Sequence, residues 1–303
     1  MATLITGGSG FVGHELCRRL GQVTITSRNR DAALKKFRKA NQEVKDVIQW
    51  DASTDVIELP QHARYSSVVN LMGESIAEGR WSAKKKQRIL SSRVEGTRRL
   101  VEGIVESGKL PEVFVSASAI GIYGDAGEAV VEETGTHGSG FLADVCVQWE
   151  QEAMRLQEHG VRVVCLRIGI VLGRQGGALK KMIPLFRIGL GGKLGTGKQW
   201  VAWIHVDDLV SLILWSIQNR SVSGPVNATA PNPVRNKELT KVLAATLKRP
   251  AFLPAPKFAL RMVLGEFAES LFFSQRVVPA VALNQGFQFR FSDIESAIKD
   301  AVQ

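Results

Sequence analysis

No stretch of this chain limits its possible folds more than its first thirteen residues. Ala2 to Thr6 is a short apolar run, and Thr6-Gly7-Gly8-Ser9-Gly10-Phe11-Val12-Gly13 follows it without a spacer and opens a helical pattern. A strand that ends in glycines and passes at once into a helix turns its backbone amides outward at a helix N-terminus, where the peptide dipoles favour an anion. Gly7 permits the turn, Gly10 lets backbone approach a phosphate, and Gly13 lets helix pack on strand. Phe11 and Val12 stand between the last two glycines and are placed with them at the ligand. The expected ligand is the pyrophosphate of a dinucleotide.

The rest of the first half supports that beginning. Six apolar runs, Ala2–Thr6, Val23–Ser27, Val47–Trp50, Ser67–Met72, Glu112–Ser118 and Val161–Ile168, alternate with amphipathic stretches. Such alternation predicts an α/β chain with a doubly wound parallel Rossmann sheet. Long helices are expected from Ser82 through Glu106 and from about Phe141 to Glu158, stopped by Gly108 and Gly160. From Gly173 to Gly197 eight glycines bracket a short apolar helix at Met182–Phe186, a texture that predicts a mobile or ligand-covering segment. Helices near Asp207–Gln218, Asn236–Leu247, Lys257–Glu269 and Ser292–Val302 follow, with strands near Val226–Thr229 and Gly286–Phe291. The chain thus divides into a dinucleotide-binding domain over 1–172, its sheet completed by later segments, and a smaller substrate-side α/β region over 173–303.

The second strand ends in Ser27-Arg28, with Ser27 twenty positions after Gly7, where an NAD-binding chain places a carboxylate for the ribose hydroxyls. No carboxylate is there. Arg28 offers a planar cation for a 2′-phosphate and Ser27 a hydroxyl, so NADP(H) is the expected cofactor.

Composition removes several alternatives. The net charge of +10 includes the runs Lys35, Lys36, Arg38, Lys39 and Lys84, Lys85, Lys86, Arg88, which fall on helical patterns and read as solvated faces. No nucleic-acid motif accompanies them. Cys17, Cys146 and Cys165 are far apart and carry no zinc spacing, so neither a metal nor a disulfide framework is expected. The N-terminus lacks a leader pattern and no apolar run approaches ~20 residues, which predicts a cytoplasmic protein without a membrane partner. The oligomeric state, a homo-oligomer included, is left open.

The spacing Gly7-x-x-Gly10-x-x-Gly13 resembles that of the extended short-chain dehydrogenase/reductases, and later segments agree. Asp51 looks like that superfamily's adenine contact, and Asn70-Leu71-Met72-Gly73-Glu74 like its fourth-strand loop. Arg93-Val94-Glu95-Gly96-Thr97 is similar to its cofactor-side helix, Ser116 to Gly124 to its serine segment, and Trp203 to Leu209 to its downstream His-Val-Asp-Asp motif. More narrowly the chain resembles the epimerase/dehydratase-like subgroup sometimes labelled cell-division inhibitors. The resemblance implies that Leu71, Met72, Gly73, Arg88, Arg93 and Ser116 border the cofactor, with Arg167 and Gly169 near its nicotinamide end.

One departure decides the chemistry. The superfamily's Tyr-x-x-x-Lys pair is missing: the only tyrosines are Tyr65 and Tyr123, followed four residues later by Val69 and Gly127. Aligning on Glu150 leaves Leu142 and Cys146 in the two slots, or Phe141 and Val145 after a one-residue shift. Ser118 and Tyr123 then become the candidates for orienting a substrate oxygen and supplying a proton, with His205 as a further donor. The chain reads as an NADP-dependent oxidoreductase or epimerase-like enzyme on a small polar substrate, or alternatively as a non-catalytic NADP-binding regulator.

Overall fold

A computed structural model describes residues 2–302. Seven parallel strands form its central sheet: β1 (Thr3–Thr6), β2 (Thr24–Ser27), β3 (Asp46–Gln49), β4 (Ser67–Asn70), β5 (Val113–Ala119), β6 (Arg162–Ile168) and β7 (Gly224–Ala228). Their spatial order is β3-β2-β1-β4-β5-β6-β7. All four residues of β1 and all four of β4 are buried, as a parallel sheet covered on both faces requires. The order reverses direction between β1 and β4, and ligands of such sheets bind at the carboxyl ends beside that reversal.

Helices α1 (Phe11–Leu20), α2 (Arg30–Lys39), α3 (Ala83–Glu106), α4 (Phe141–Met154), α5 (Leu179–Arg187) and α6 (Val206–Gln218) cover the sheet and its carboxyl edge. On one face Leu16, Phe37, Leu209 and Ile213 pack against Ile5, Ile25 and Val115. On the other, Leu100 and Ile104 of α3 pack against Leu4, Val68 and Phe114. The C-terminal region adds α7 (Asn236–Leu247), α8 (Lys257–Leu264), α9 (Phe267–Ser270), α10 (Ala280–Asn284) and α11 (Ile294–Val302). It has a core of its own around Trp203, Leu239, Leu243 and Ile298.

Several expectations need correction. The helix expected to Glu158 becomes a 3₁₀ turn at Arg155–His159, and the one expected over Lys257–Glu269 breaks at Gly265, whose φ is +66°. No strand forms at Gly286–Phe291. Its amides find a side chain instead of a neighbouring strand: Arg290 N and Phe291 N each donate to the Asp208 carboxylate at 2.9 Å. Two glycines at the start of the segment from Gly173 onward are closely packed. A Cβ on Gly176 would lie 2.2 Å from the Phe11 ring and one on Gly173 2.6 Å from it, so these glycines are the seat of an aromatic side chain on α1.

Candidate functional site

The glycine loop and the residues after β4 meet at the reversal between β1 and β4. A Cβ on Gly7, whose φ is +68°, would lie 2.5 Å from the Leu71 carbonyl oxygen, and one on Gly13 would lie 2.3 Å from the Gly7 oxygen. These two positions exclude side chains because backbone already fills the space. Gly10 is different: a Cβ there approaches only the Gly7 oxygen, at 3.1 Å, and otherwise faces open space. Gly10 caps α1 with no side chain bonded to the first-turn amides, and no acidic residue stands in that turn. A ten-residue helix with bare N-terminal amides beside a glycine at the surface is built to receive an anion.

The edge formed by β2 and β3 supplies charge. Arg28 is exposed and makes no ion pair among the described residues, while the neighbouring Ser27 hydroxyl is held in a turn by the backbone of Asn29. Across from it, the Asp51 carboxylate accepts bonds from Ser53, which, with smaller contributions from Arg28 and Arg99, hold it below the usual aspartate range. One cation here was hidden among the helix-face lysines: Lys36 donates to the Ser9 carbonyl and so leans over the glycine loop. Charge sign was visible in the sequence, but the reach from α2 back to the loop was not.

The loop after β4 is clamped by α3. Met72 packs on Gly96, and the Arg93 guanidinium lies against Gly73, where an added Cβ would come within 3.1 Å of it. Arg93 donates to the Glu74 carbonyl at 3.0 Å and stands 5.3 Å from the Trp149 ring. Burial lowers its pKa, with Cys146 and Glu74 acting in the opposite sense. Its cation therefore acts on Cys146, one of the residues that fill the lysine slot. Lys85, expected on a solvated face, is buried and bonds Glu74 at 2.7 Å; Arg88, exposed, approaches the same carboxylate at 3.4 Å.

The serines of β5 point inward. Ser116 is fully buried, its hydroxyl accepting from Asn70 at 3.2 Å and donating to the Ala117 carbonyl at 3.1 Å, so it ties β4 to β5 and is not presented to a ligand. Ser118 donates to Glu150 at 2.6 Å. Arg167 grips both oxygens of Glu150, each at 2.9 Å, and also donates to the Tyr123 oxygen at 2.8 Å. The Tyr123 hydroxyl donates to the Asn227 amide oxygen at 2.7 Å. Burial raises the Tyr123 pKa against the opposing pull of Arg167. Burial alone would depress Arg167, but the Glu150 carboxylate more than reverses this and its pKa is raised. Glu133, with its carbonyl on Arg167 and its carboxylate on Asn227 N, completes the cluster. Ser118, Tyr123 and Arg167 are thus brought together by Glu150, Glu133 and Asn227, three residues the sequence reading left out of the site. Glu150 is one of three carboxylates on α4, with Asp144 and Glu152, so nothing in the linear pattern singled it out. Gly169 lies just beyond, its amide on the Ala228 carbonyl and its Cα against Ala202 and Thr229.

Other candidates resolve as structural parts. His205 caps α6, its Nδ1 accepting from Asp207 N at 3.2 Å, which leaves the proton on Nε2, 3.4 Å from Asp300. That tautomer offers no lone pair to a metal, and the ring is buried against Phe291, away from any donor role. Burial pushes the Cys146 thiol up to about 12, so it is inert. The Gly192–Lys198 run, which imitates a phosphate loop, spends its amides internally on Ala255, Leu194 and Asn236. A hollow lined by Ser66, Glu112 and Arg162 lies at the amino ends of the strands, the wrong end of such a sheet for its ligand.

The sequence pattern of the NAD dependent epimerase/dehydratase family matches residues 3–228, and a domain of unknown function, DUF1731, matches 255–301. The chain is 38% identical to the epimerase family protein YfhF of Bacillus subtilis, over all of this chain and 98% of that protein. It is 37% identical to the chloroplastic SDR39U1 homolog of Arabidopsis thaliana, over all of this chain and 87% of that one. The crystal structure of human epimerase family protein SDR39U1 (isoform 2) with NADPH superposes with a TM-score of 0.87 at 30% identity, covering all of this chain and 99% of that one.

Proposed function

The chain belongs to the NAD-dependent epimerase/dehydratase family of the extended short-chain dehydrogenase/reductases, and from that premise we propose that it binds NADP(H) and acts as an oxidoreductase or epimerase-like enzyme on a small polar substrate. The observation that carries this reading is the uncapped N-terminus of α1 behind Gly10, in contact with the loop after β4. Gly7, Gly10, Phe11, Val12 and Gly13 would hold the pyrophosphate. Arg28, Ser27, Asp51, Leu71 and Met72 would hold the adenosine half, with Lys36 adding charge. Gly73, Arg93 and Gly169 would stand toward the nicotinamide, which supplies hydride donor or acceptor chemistry when bound. NADPH in the human SDR39U1 crystals supports the choice of NADP(H). Arg88, in this reading, steadies Glu74 at the rim.

Arg28 decides the phosphate preference. An Arg28→Ala variant should lose ~1.5–3 kcal/mol of NADPH affinity, the worth of a charge-assisted contact, while NADH affinity stays nearly constant. Calorimetric titration with both cofactors measures it. Equal affinities in the parent protein, or an unchanged preference in the variant, would overturn the assignment of the second strand.

The catalytic step is where a second reading has support. Ser118 and Tyr123 are both buried and both hold partners, so a proton passed from either must first be released by Glu150 or Asn227. Arg93 leaves a cation beside Cys146, but the superfamily's tyrosine has no replacement there. This commitment of both hydroxyls favours a non-catalytic NADP-binding regulator as the alternative. A panel of carbonyl compounds with NADPH separates the two. In an enzyme using Ser118, Ser118→Ala should slow turnover by ~10²–10⁴-fold with little change in NADPH affinity. Absence of turnover across the panel, together with different affinities for NADPH and NADP⁺, would select the regulator, because a ligand that binds two states equally cannot shift them.

A further inference from the structure

Helix α8 presents large apolar side chains to water. None of its residues is buried, yet Phe258 is 71% exposed, Met262 72% and Val263 71%. Its charged residues are exposed beside them: Lys257 and Arg261 lie about 100° round the helix from Phe258 and Met262 and pair with Glu269 of α9. A helix of an isolated water-soluble domain turns its apolar face to the core and its charges to water.

The exposed surface continues beyond the helix. Phe252 is 87% exposed and Leu253 64%, and their strand-like segment lies against residues 192–195, with Ala255 N donating to the Lys193 carbonyl at 2.8 Å. That contact joins it to Leu185, Ile188 and Leu190, at and just after the end of α5, each more than half exposed. Eight of the twelve large exposed hydrophobic residues among the described residues therefore fall in these two segments. Apolar exposure on this scale marks an interaction surface.

The charges of the same segments choose the partner. Residues 179–198 hold five lysines and arginines, and residues 248–263 hold four, with no aspartate or glutamate in either. Lys180, Arg187, Lys193, Lys248 and Arg249 make no ion pair among the described residues, which leaves their charge unneutralised around the apolar centre. A second copy docked about a twofold axis would set this cationic patch against itself. We infer that the patch formed by α8, residues 248–256 and the end of α5 is a docking surface for an anionic lipid bilayer, apolar side chains entering the interface and basic ones meeting headgroups. No helix among the described residues is long and apolar enough to cross a membrane, and this mode of attachment requires none.

Flotation of the full chain with vesicles tests the inference. Vesicles of phosphatidylcholine with about 30 mol% phosphatidylglycerol should retain at least about tenfold more protein than phosphatidylcholine alone, and the difference should shrink as salt is raised. F258S/M262S should lose about tenfold of that binding through its lost apolar contacts, and K248E/R249E a similar amount through charge. Both pairs are exposed, so the thermal unfolding midpoint should stay within a few degrees of the parent's. Equal retention on both vesicles, or unchanged binding by both variants, overturns the inference. So does a parent dimer that F258S/M262S converts to monomer, which would assign the patch to a second copy. If F258S/M262S does not fold, the charge variant and the salt series decide by themselves.

Discussion

Gly10→Val should abolish NADP(H) binding in a protein that remains folded. The substitution is informative because the three loop glycines serve different purposes. Side chains at Gly7 or Gly13 would collide with backbone at 2.5 Å and 2.3 Å, so replacing either disturbs the fold itself. Gly10 has φ −73° and ψ 177°, an extended conformation open to any residue. Its Cβ would need the Gly7 oxygen to yield only a few tenths of an ångström from a 3.1 Å approach. The remaining methyl groups of valine would then occupy the space kept for the pyrophosphate. A loss of about 100-fold or more in affinity, at least ~2.7 kcal/mol, is expected by calorimetry, with a cooperative unfolding transition preserved. Gly10→Ala adds only the Cβ and should fall between. Binding retained by the valine variant would remove the basis of the cradle assignment.

Glu150→Ala should destabilise the protein by about 3–5 kcal/mol, because it leaves the Arg167 guanidinium buried without its anion. Arg167 is 3% exposed and donates to both Glu150 oxygens, so water has little access to replace them. Urea unfolding measures the loss. A double replacement, Glu150→Leu with Arg167→Met, removes both charges and should recover much of it, since a buried pair costs desolvation that apolar side chains avoid. A single variant close to the parent in stability would mean that the pair is solvated in solution. A double variant worse than the single would mean that Tyr123 and Glu133 depend on Arg167 more than on its charge.

That ion pair also shows where reading the chain residue by residue stops. Ser118 and Tyr123 stand at the carboxyl end of β5, the correct end of the sheet for catalysis, and this much followed from linear order. The side chains that engage them, Glu150 and Asn227, lie 32 and 104 residues farther along the chain. The expected strand at Gly286–Phe291 failed for the same reason, since Asp208 captured its amides from 82 and 83 residues away. Among the glycines of the expected mobile or ligand-covering segment, Gly173 and Gly176 make room for the Phe11 ring, a partner that linear order does not disclose. Lys36 and Lys85, read as solvated, reach back to the glycine loop and to Glu74.

What the amino-acid sequence determined alone was whatever depends on neighbours within a turn or two. It set the strand, glycine loop and helix at residues 2–20, the alternation that makes a parallel sheet, and the absence of a carboxylate at the end of β2. It also set the lack of a Tyr-x-x-x-Lys pair. Backbone conformation, periodicity and charge sign are local, so they can be read without a partner in view. Tertiary structure alone decided which hydroxyls are free, which cations are paired and which glycines are packed against rings. It also decided that α8 turns Phe258 and Met262 outward: their i, i+4 spacing defines a face, but only the seating of the helix on the rest of the chain decides which way that face points. Burial and hydrogen-bond partnership are properties of pairs brought together by folding, and no single segment carries them.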